Sequence, residues 1–180
     1  MDSATNERVL TLILLALGVY FLVLLVRGLL GYRRFRQVRP TALATWPVPR
    51  PPHFGLLLLL GVVAALVALL NGLLQRPLHH VVAQALMAAY FMLMVPLAAR
   101  IQLGFYRDGV WADAGFLAYK DIGRMAFRET PQIVLILLPR HGSGSFRLPV
   151  PPGEYGTARK ILAEKMRAHA LEVEPAILGL

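Results

Sequence analysis

The residues able to do acid–base chemistry are scattered. Asp108, Asp113, Asp121, Glu129, Glu154, Glu164, Glu172, Glu174, His141 and His169 occupy the second half of the chain, and none falls into a recognisable catalytic constellation. Asp108 belongs to an Asp-Gly turn, and Glu154 to the first turn of an expected helix, where negative charge is favourable. Both read as structural. The chain has no cysteine, which excludes disulfides, thiolate metal sites and a cysteine nucleophile, and leaves the compartment open. His79 and His80 are adjacent, so on a helix they point about 100° apart and are poorly placed to share a metal. No two histidines sit at matching depth in the apolar segments to clamp a haem. We therefore expect no catalytic residue, no metal site and no cofactor.

One stretch has the makings of an anion site. Gly142-Ser143-Gly144 lies beside Arg140, His141 and Arg147, and backbone N–H groups with positive charge can hold a phosphate. The Gly-x-x-x-x-Gly-Lys-Ser/Thr pattern is absent, and the segment joins two apolar runs instead of opening a helix. It reads as a hairpin tip, with Arg140 and Arg147 the candidate contacts if a lipid headgroup binds.

The elements that position these residues follow from composition. The chain of 180 residues is 57% hydrophobic and 16% charged, against roughly a quarter charged for an average soluble domain. The first hundred positions hold three long uncharged runs, whereas the last eighty are mixed. Val9 to Val26 has no charge and covers about 27 Å as a helix, close to a hydrocarbon core of roughly 30 Å. Spans are expected at about 9–30, 54–74 and 80–99, the last two joined by the short turn Gln75-Arg76-Pro77. Positive charge follows the first run, with Asp2 and Glu7 before it, so it reads as an uncleaved anchor.

Charge then orients the chain. Net charge is +9, with nine Lys and Arg against two acids up to residue 100 and ten against eight afterwards. A nucleic-acid binder carries its basic stripe on the folded domain, so no nucleic-acid partner is expected. The first loop holds Arg27, Arg33, Arg34, Arg36, Arg39 and Arg50, the second only Arg76. By the positive-inside rule the N-terminus is outside and the C-terminal domain cytoplasmic. Arg33, Arg34, Arg36 and Arg39 are candidate contacts for anionic lipid. Pro40, Pro47, Pro49, Pro51 and Pro52 predict that loop 31–53 is an extended linker along the membrane surface, with Trp46 as its membrane anchor.

Polar groups within the spans are few: Thr11, Tyr20, Asn71, Gln84 and Tyr90. Transporters and proton pumps usually need ionisable groups at mid-depth, so transport is not expected. Gln84 is assigned to a helix-to-helix hydrogen bond. Met87, Met92, Met94, Tyr90 and Phe91 read as packing rather than pigment or quinone contacts. Small residues at Ala64, Ala65, Ala68, Ala85, Ala88 and Ala89 permit close helix approach.

Beyond residue 101 the pattern changes to strands. Leu103 to Tyr106 and Val110 to Ala112 flank Arg107-Asp108-Gly109, a strong hairpin signal. Further strands are expected over 115–119, 123–128, 132–138 and 145–150. A helix over about 154–169 carries the stripe Tyr155, Ala158, Leu162, Lys165 or Met166, and His169, followed by a tail with apolar Ile177, Leu178 and Leu180.

The run Gly-Phe-Tyr-Arg-Asp-Gly-Val at 104–110, then Phe-Leu-Ala-Tyr-Lys-Asp-Ile at 116–122, a Leu-Pro-Val strand and a terminal helix resembles small membrane-tethered bacterial PH-like domains over roughly residues 103–170. Those families carry Trp-x-Asp-Ile where this chain has Tyr119-Lys120-Asp121-Ile122. The resemblance implies a strand junction at Asp121, a bacterial inner-membrane location and a fold with little chemistry. The expectation is thus a membrane protein of three transmembrane α-helices and a small cytoplasmic α+β domain of antiparallel strands with one C-terminal helix. Two functions fit it: a non-enzymatic subunit or scaffold of a larger membrane assembly, touching lipids and other membrane subunits, or an independent module binding headgroups or a peptide.

Overall fold

The computed structural model describes residues 3–48, 51–128, 130–142 and 144–171. Glu129, Ser143, Glu172, Glu174, Ile177, Leu178 and Leu180 lie outside them. The chain divides into a helical unit, residues 1–33 with 49–101, and a sheet unit, residues 34–48 with 102–180.

Three helices are long and apolar enough to cross a membrane. α1 runs over Ser3–Val38 and α2 over Phe54–Leu73, while α3 (Leu78–Ala89) continues through a π turn at Tyr90–Met94 into α4 (Val95–Ala98). α1 outruns the expected first span because arginines end an apolar run but not a helix. Only Pro40, which cannot continue the backbone ladder, stops it. At 36 residues it is about 54 Å long, well beyond one hydrocarbon core. The π turn precedes Pro96, which has no N–H to offer the Met92 carbonyl, so the ladder is disturbed there.

Small residues let these helices meet. Gly61, Ala64 and Ala68 are the buried positions of α2, and a Cβ on Gly61 would stand 2.8 Å from Met92 Cγ and 3.0 Å from Phe91 Cβ. On α3 the buried small residues are Ala83 and Ala88, whereas Ala85 is exposed. α1 contributes Gly18, Phe21 and Leu25, all buried at three- and four-residue steps. Phe21 meets Tyr90 and Phe91 at ring distances of 5.5 and 5.8 Å. Met94 is buried with its sulfur against Gly28.

The expected helix-to-helix bond at Gln84 is present: Asn71 Nδ2 donates to its Oε1 at 2.8 Å. Asn71→Ala and Gln84→Ala, combined in a double-mutant cycle of unfolding in detergent, should couple by about 0.6 kcal/mol and no more than about 1.7.

The sheet unit holds two antiparallel sheets. The first runs β1 (Ala42–Pro47), β2 (Gln102–Tyr106), β3 (Gly109–Ala112), β4 (Gly115–Ala118); the second runs β5 (Ile122–Arg128), β6 (Val134–Pro139), β7 (Phe146–Pro149). A 3-10 turn at Tyr119–Asp121 joins them, and α5 (Tyr155–Arg167) closes the unit.

β1 corrects the sequence reading. The first loop is not a free surface linker: residues 42–47 pair with β2, from Ala42 opposite Tyr106 to Pro47 opposite Gln102. β1 is an edge strand, and an edge tolerates a proline because one side of its backbone needs no partner. Trp46 is accordingly no membrane anchor. It is 7% exposed, stands 6.2 Å from the Phe105 ring in a T-shaped pair, and donates Nε1–H to the Pro149 carbonyl at 2.8 Å, tying the first sheet to the second.

The core follows from these pairings. Every residue of β3 is buried, and Trp111 is met edge-on by Phe35 from the last turns of α1 at 5.3 Å. Met125, Leu135, Leu137 and Leu148 fill the second sheet, with Ala158 and Leu162 of α5 buried in the same unit. The stripe stops short of His169, which is exposed and has φ +51° just beyond the end of α5.

Candidate functional site

The arginines expected to meet lipid fall into two groups. Arg33, Arg34, Arg36 and Arg39 are exposed, the first three on the last turns of α1 and Arg39 in the short 3-10 turn after it. The Arg34 guanidinium lies 5.2 Å from the Phe116 ring, within cation–π range.

Arg140 and Arg147 flank the β6–β7 turn, and the first is engaged in holding strands. Arg140 N–H donates to the Asp121 carbonyl at 2.8 Å, and its Nε to the Ile122 carbonyl at 3.2 Å. That bond sits where β5 bulges at Gly123, whose missing side chain lets the Arg140 backbone approach. Arg147 keeps an exposed side chain, while its backbone N–H donates to Asp113 Oδ1 at 2.7 Å. Asp113 returns its own N–H to the Arg147 carbonyl at 3.1 Å. Asp113 is thus a sheet-to-sheet brace. Asp121 stands at the junction between β4 and β5, and Lys165 Nζ donates to the Arg107 carbonyl at 2.8 Å.

Two buried tyrosines carry the shifted titrations of this unit. Tyr106 donates its hydroxyl to the Gln102 carbonyl at 2.9 Å, and Tyr119 its own to the Tyr106 carbonyl at 3.0 Å. Burial pushes the Tyr106 phenol up to about 12, partly opposed by the charge of Arg39. Burial, reinforced by the Asp108 carboxylate, pushes Tyr119 up as well. Both folded values exceed the ordinary 10.0, so the unfolded chain loses these protons first. The stabilisation is complete below about pH 10 and is lost as pH rises towards 12 and beyond. Unfolding midpoints of the full chain at about pH 9 and about pH 11.5 should show this loss, and Tyr119→Phe should make it shallower.

A concave site lies in the helical unit. A cavity of about 960 Å³ opens where the first turns of α1 meet the turn between α2 and α3, lined by Glu7, Arg8, Thr11, Asn71, Arg76, His79 and His80 among others. Its volume is near the top of the ~300–1,000 Å³ range of small-molecule pockets. The two histidine rings, expected to diverge, lie 4.6 Å apart and border the same cavity. His79 Nε2 is buried and has no hydrogen-bond partner. A second cavity of about 200 Å³, almost wholly apolar, is lined by Leu15, Gly18, Leu22, Val82, Leu86 and again His79.

Residue-by-residue reading missed this site because its residues come from the start of α1 and, some seventy positions later, from the end of α2, the turn after it and the start of α3. One signal was present: Arg8, Arg76, His79 and His80 all border apolar runs at the ends that three successive spans bring to one side. Among the described residues, no group of three or more His, Cys, Asp or Glu could hold a metal ion. Comparison of the chain with protein-family models, with curated proteins and with solved structures gives no match.

Proposed function

We propose that the chain is a non-enzymatic accessory or scaffold subunit of a larger bacterial membrane assembly. Its three apolar helices lie in the inner membrane with the N-terminus outside, and its α+β unit is a PH-like domain on the cytoplasmic face. The observation that carries this reading is connectivity. The chain passes between the helical and sheet units at residues 33–34, 48–49 and 101–102, because β1 is drawn from between the first two helices. A module that only samples the membrane surface needs one tether. Three connections suit a domain held at the bilayer as a fixed surface for partners.

Other features support it. Leu12, Leu56, Leu66 and Leu73 are 55–71% exposed on the helices, as lipid or a neighbouring helix requires. The six antiparallel strands β2–β7 and the helix after them agree with what the PH-like resemblance implies over residues 103–170, with Tyr119 buried where those families carry tryptophan. The exposed Arg33, Arg34, Arg36 and Arg39 suit an anionic cytoplasmic leaflet. The alternative, an independent headgroup- or peptide-binding module, draws less support because Arg140 is engaged with the Ile122 carbonyl.

Gentle detergent extraction, size separation and mass spectrometry of co-migrating proteins tests the proposal. Co-migration with a defined complex at fixed stoichiometry is expected. Migration alone, or as a small homo-oligomer, overturns the subunit reading. Cleavage of the sheet unit only from the periplasmic side of sealed vesicles overturns the orientation.

A further inference from the structure

We propose that the cavity formed by α1 and the α2–α3 turn is a binding site for one anionic phospholipid, its phosphate held by Arg8, Arg76 and His79 and an acyl chain lying in the apolar groove between α1 and α3. The inference rests on the reading that these helices lie in a bilayer. Three observations meet there. Arg8, from the start of α1, and Arg76, from the α2–α3 turn, face one cavity in which Glu7 is the acid among the residues described, so the rim is net positive. His79 presents a buried Nε2 that nothing in the protein satisfies, at the point where the polar cavity and the apolar one share a wall. Next to Leu15, Gly18, Leu22, Val82 and Leu86 the groove offers only hydrocarbon contacts.

Each part selects one part of the ligand. A buried imidazole nitrogen without a partner is costly, and an oxygen supplied by a ligand satisfies it. A phosphate also takes charge-assisted bonds from both arginines. A free phosphate uses the rim and leaves the groove empty, whereas a neutral apolar ligand uses the groove and leaves His79 and the arginines unmet. An anionic diacyl lipid engages both, and it is the amphiphile a membrane supplies at this depth. Thr11 and the Asn71 side chain, already bonded to Gln84, add polar contacts for a glycerol headgroup.

The test uses the full chain, purified and delipidated in a mild neutral detergent. Phosphatidylglycerol, phosphatidylcholine of the same chains, glycerol phosphate and inorganic phosphate are titrated separately, with bound lipid counted by native mass spectrometry. One phosphatidylglycerol per chain is expected, bound at least about tenfold tighter than phosphatidylcholine or either phosphate. Arg8→Ala, Arg76→Ala and His79→Phe should each weaken it by about tenfold. Arg100→Ala, at the far end of the same helices, should leave it unchanged. Val82→Trp, which fills the groove from an exposed position, should weaken the lipid and spare inorganic phosphate. Equal binding of the two lipids, equal effects of Arg76→Ala and Arg100→Ala, or phosphate binding as tightly as lipid overturns the proposal. Release of the chain from membranes by alkaline carbonate, measured separately, would instead overturn the membrane reading beneath it.

Discussion

Trp46→Ala should destabilise the sheet unit by about 3–5 kcal/mol, the range for emptying a buried aromatic site. The indole is 7% exposed, is packed on Phe105, and is bonded through Nε1 to Pro149 of the other sheet. Its loss opens a cavity between β1 and β7 and leaves the Pro149 carbonyl without that donor. Trp46→Phe should cost less, about 1–3 kcal/mol, since most of the packing survives and only the bond is lost. Leu43→Ala, on the same strand but 52% exposed, should stay within about 0.5 kcal/mol. Denaturant unfolding of the full chain in detergent, followed through Trp111, measures all three. If the Trp46→Ala midpoint stays at the wild-type value, the indole does not tie the two sheets together.

Gly104→Ala should be nearly as damaging, by a different route. Gly104 has φ +139°, a region that side chains rarely adopt, and it lies between Thr45 on one side and Trp111 on the other. A Cβ there would run into the Ala44 carbonyl oxygen and stand 2.8 Å from Thr45 Cα. Both obstacles are backbone, so relief requires β1 and β2 to separate. Strain and overpacking together predict a loss of about 3 kcal/mol or more. Gly115→Ala separates the two causes: its φ is +116°, yet nothing lies within 4 Å of the added carbon, so only strain remains. Hydrogen exchange over residues 42–47 should rise sharply in Gly104→Ala and little in Gly115→Ala. Equal exchange in the two variants would mean that the close approach of β1 is unimportant.

These two positions also mark where the sequence was readable. The α2 boundaries were legible because an unbroken apolar run admits little else, and the β2–β3 hairpin because Asp-Gly between apolar residues has one preferred geometry. α1 was cut short at about residue 30 because span logic ends where arginines accumulate after an apolar run, while helix propensity does not. β1 was hidden by its neighbours: Pro40, Pro47, Pro49, Pro51 and Pro52 describe a linker by composition, and only an edge place in a sheet makes Pro47 acceptable. Its pairing partner lies far along the chain, and no local pattern announces a long-range pairing. Arg33, Arg34, Arg36, Arg39, Arg140 and Arg147 were visible as candidates, but the engagement of Arg140 with Ile122 and the place of Arg8 and Arg76 on one cavity depend on tertiary structure.

The pairing of β1 with β2 ties two events of biosynthesis together. Thr45 and Gln102, whose side chains meet across the pair, are 57 positions apart, and everything between them includes the whole α2–α3 hairpin. During translation β1 emerges first and, on the proposed membrane reading, must wait with its edge unpaired until both helices have been threaded and the chain has returned. On that reading, a hairpin that inserts only one helix delivers β2 to the opposite compartment, and the first sheet cannot be completed. A chain with the wrong number of crossings would then leave the seat for Trp46 unmade and the β1 edge unpaired. Completion of the first sheet would thus depend on both helices of the hairpin having crossed.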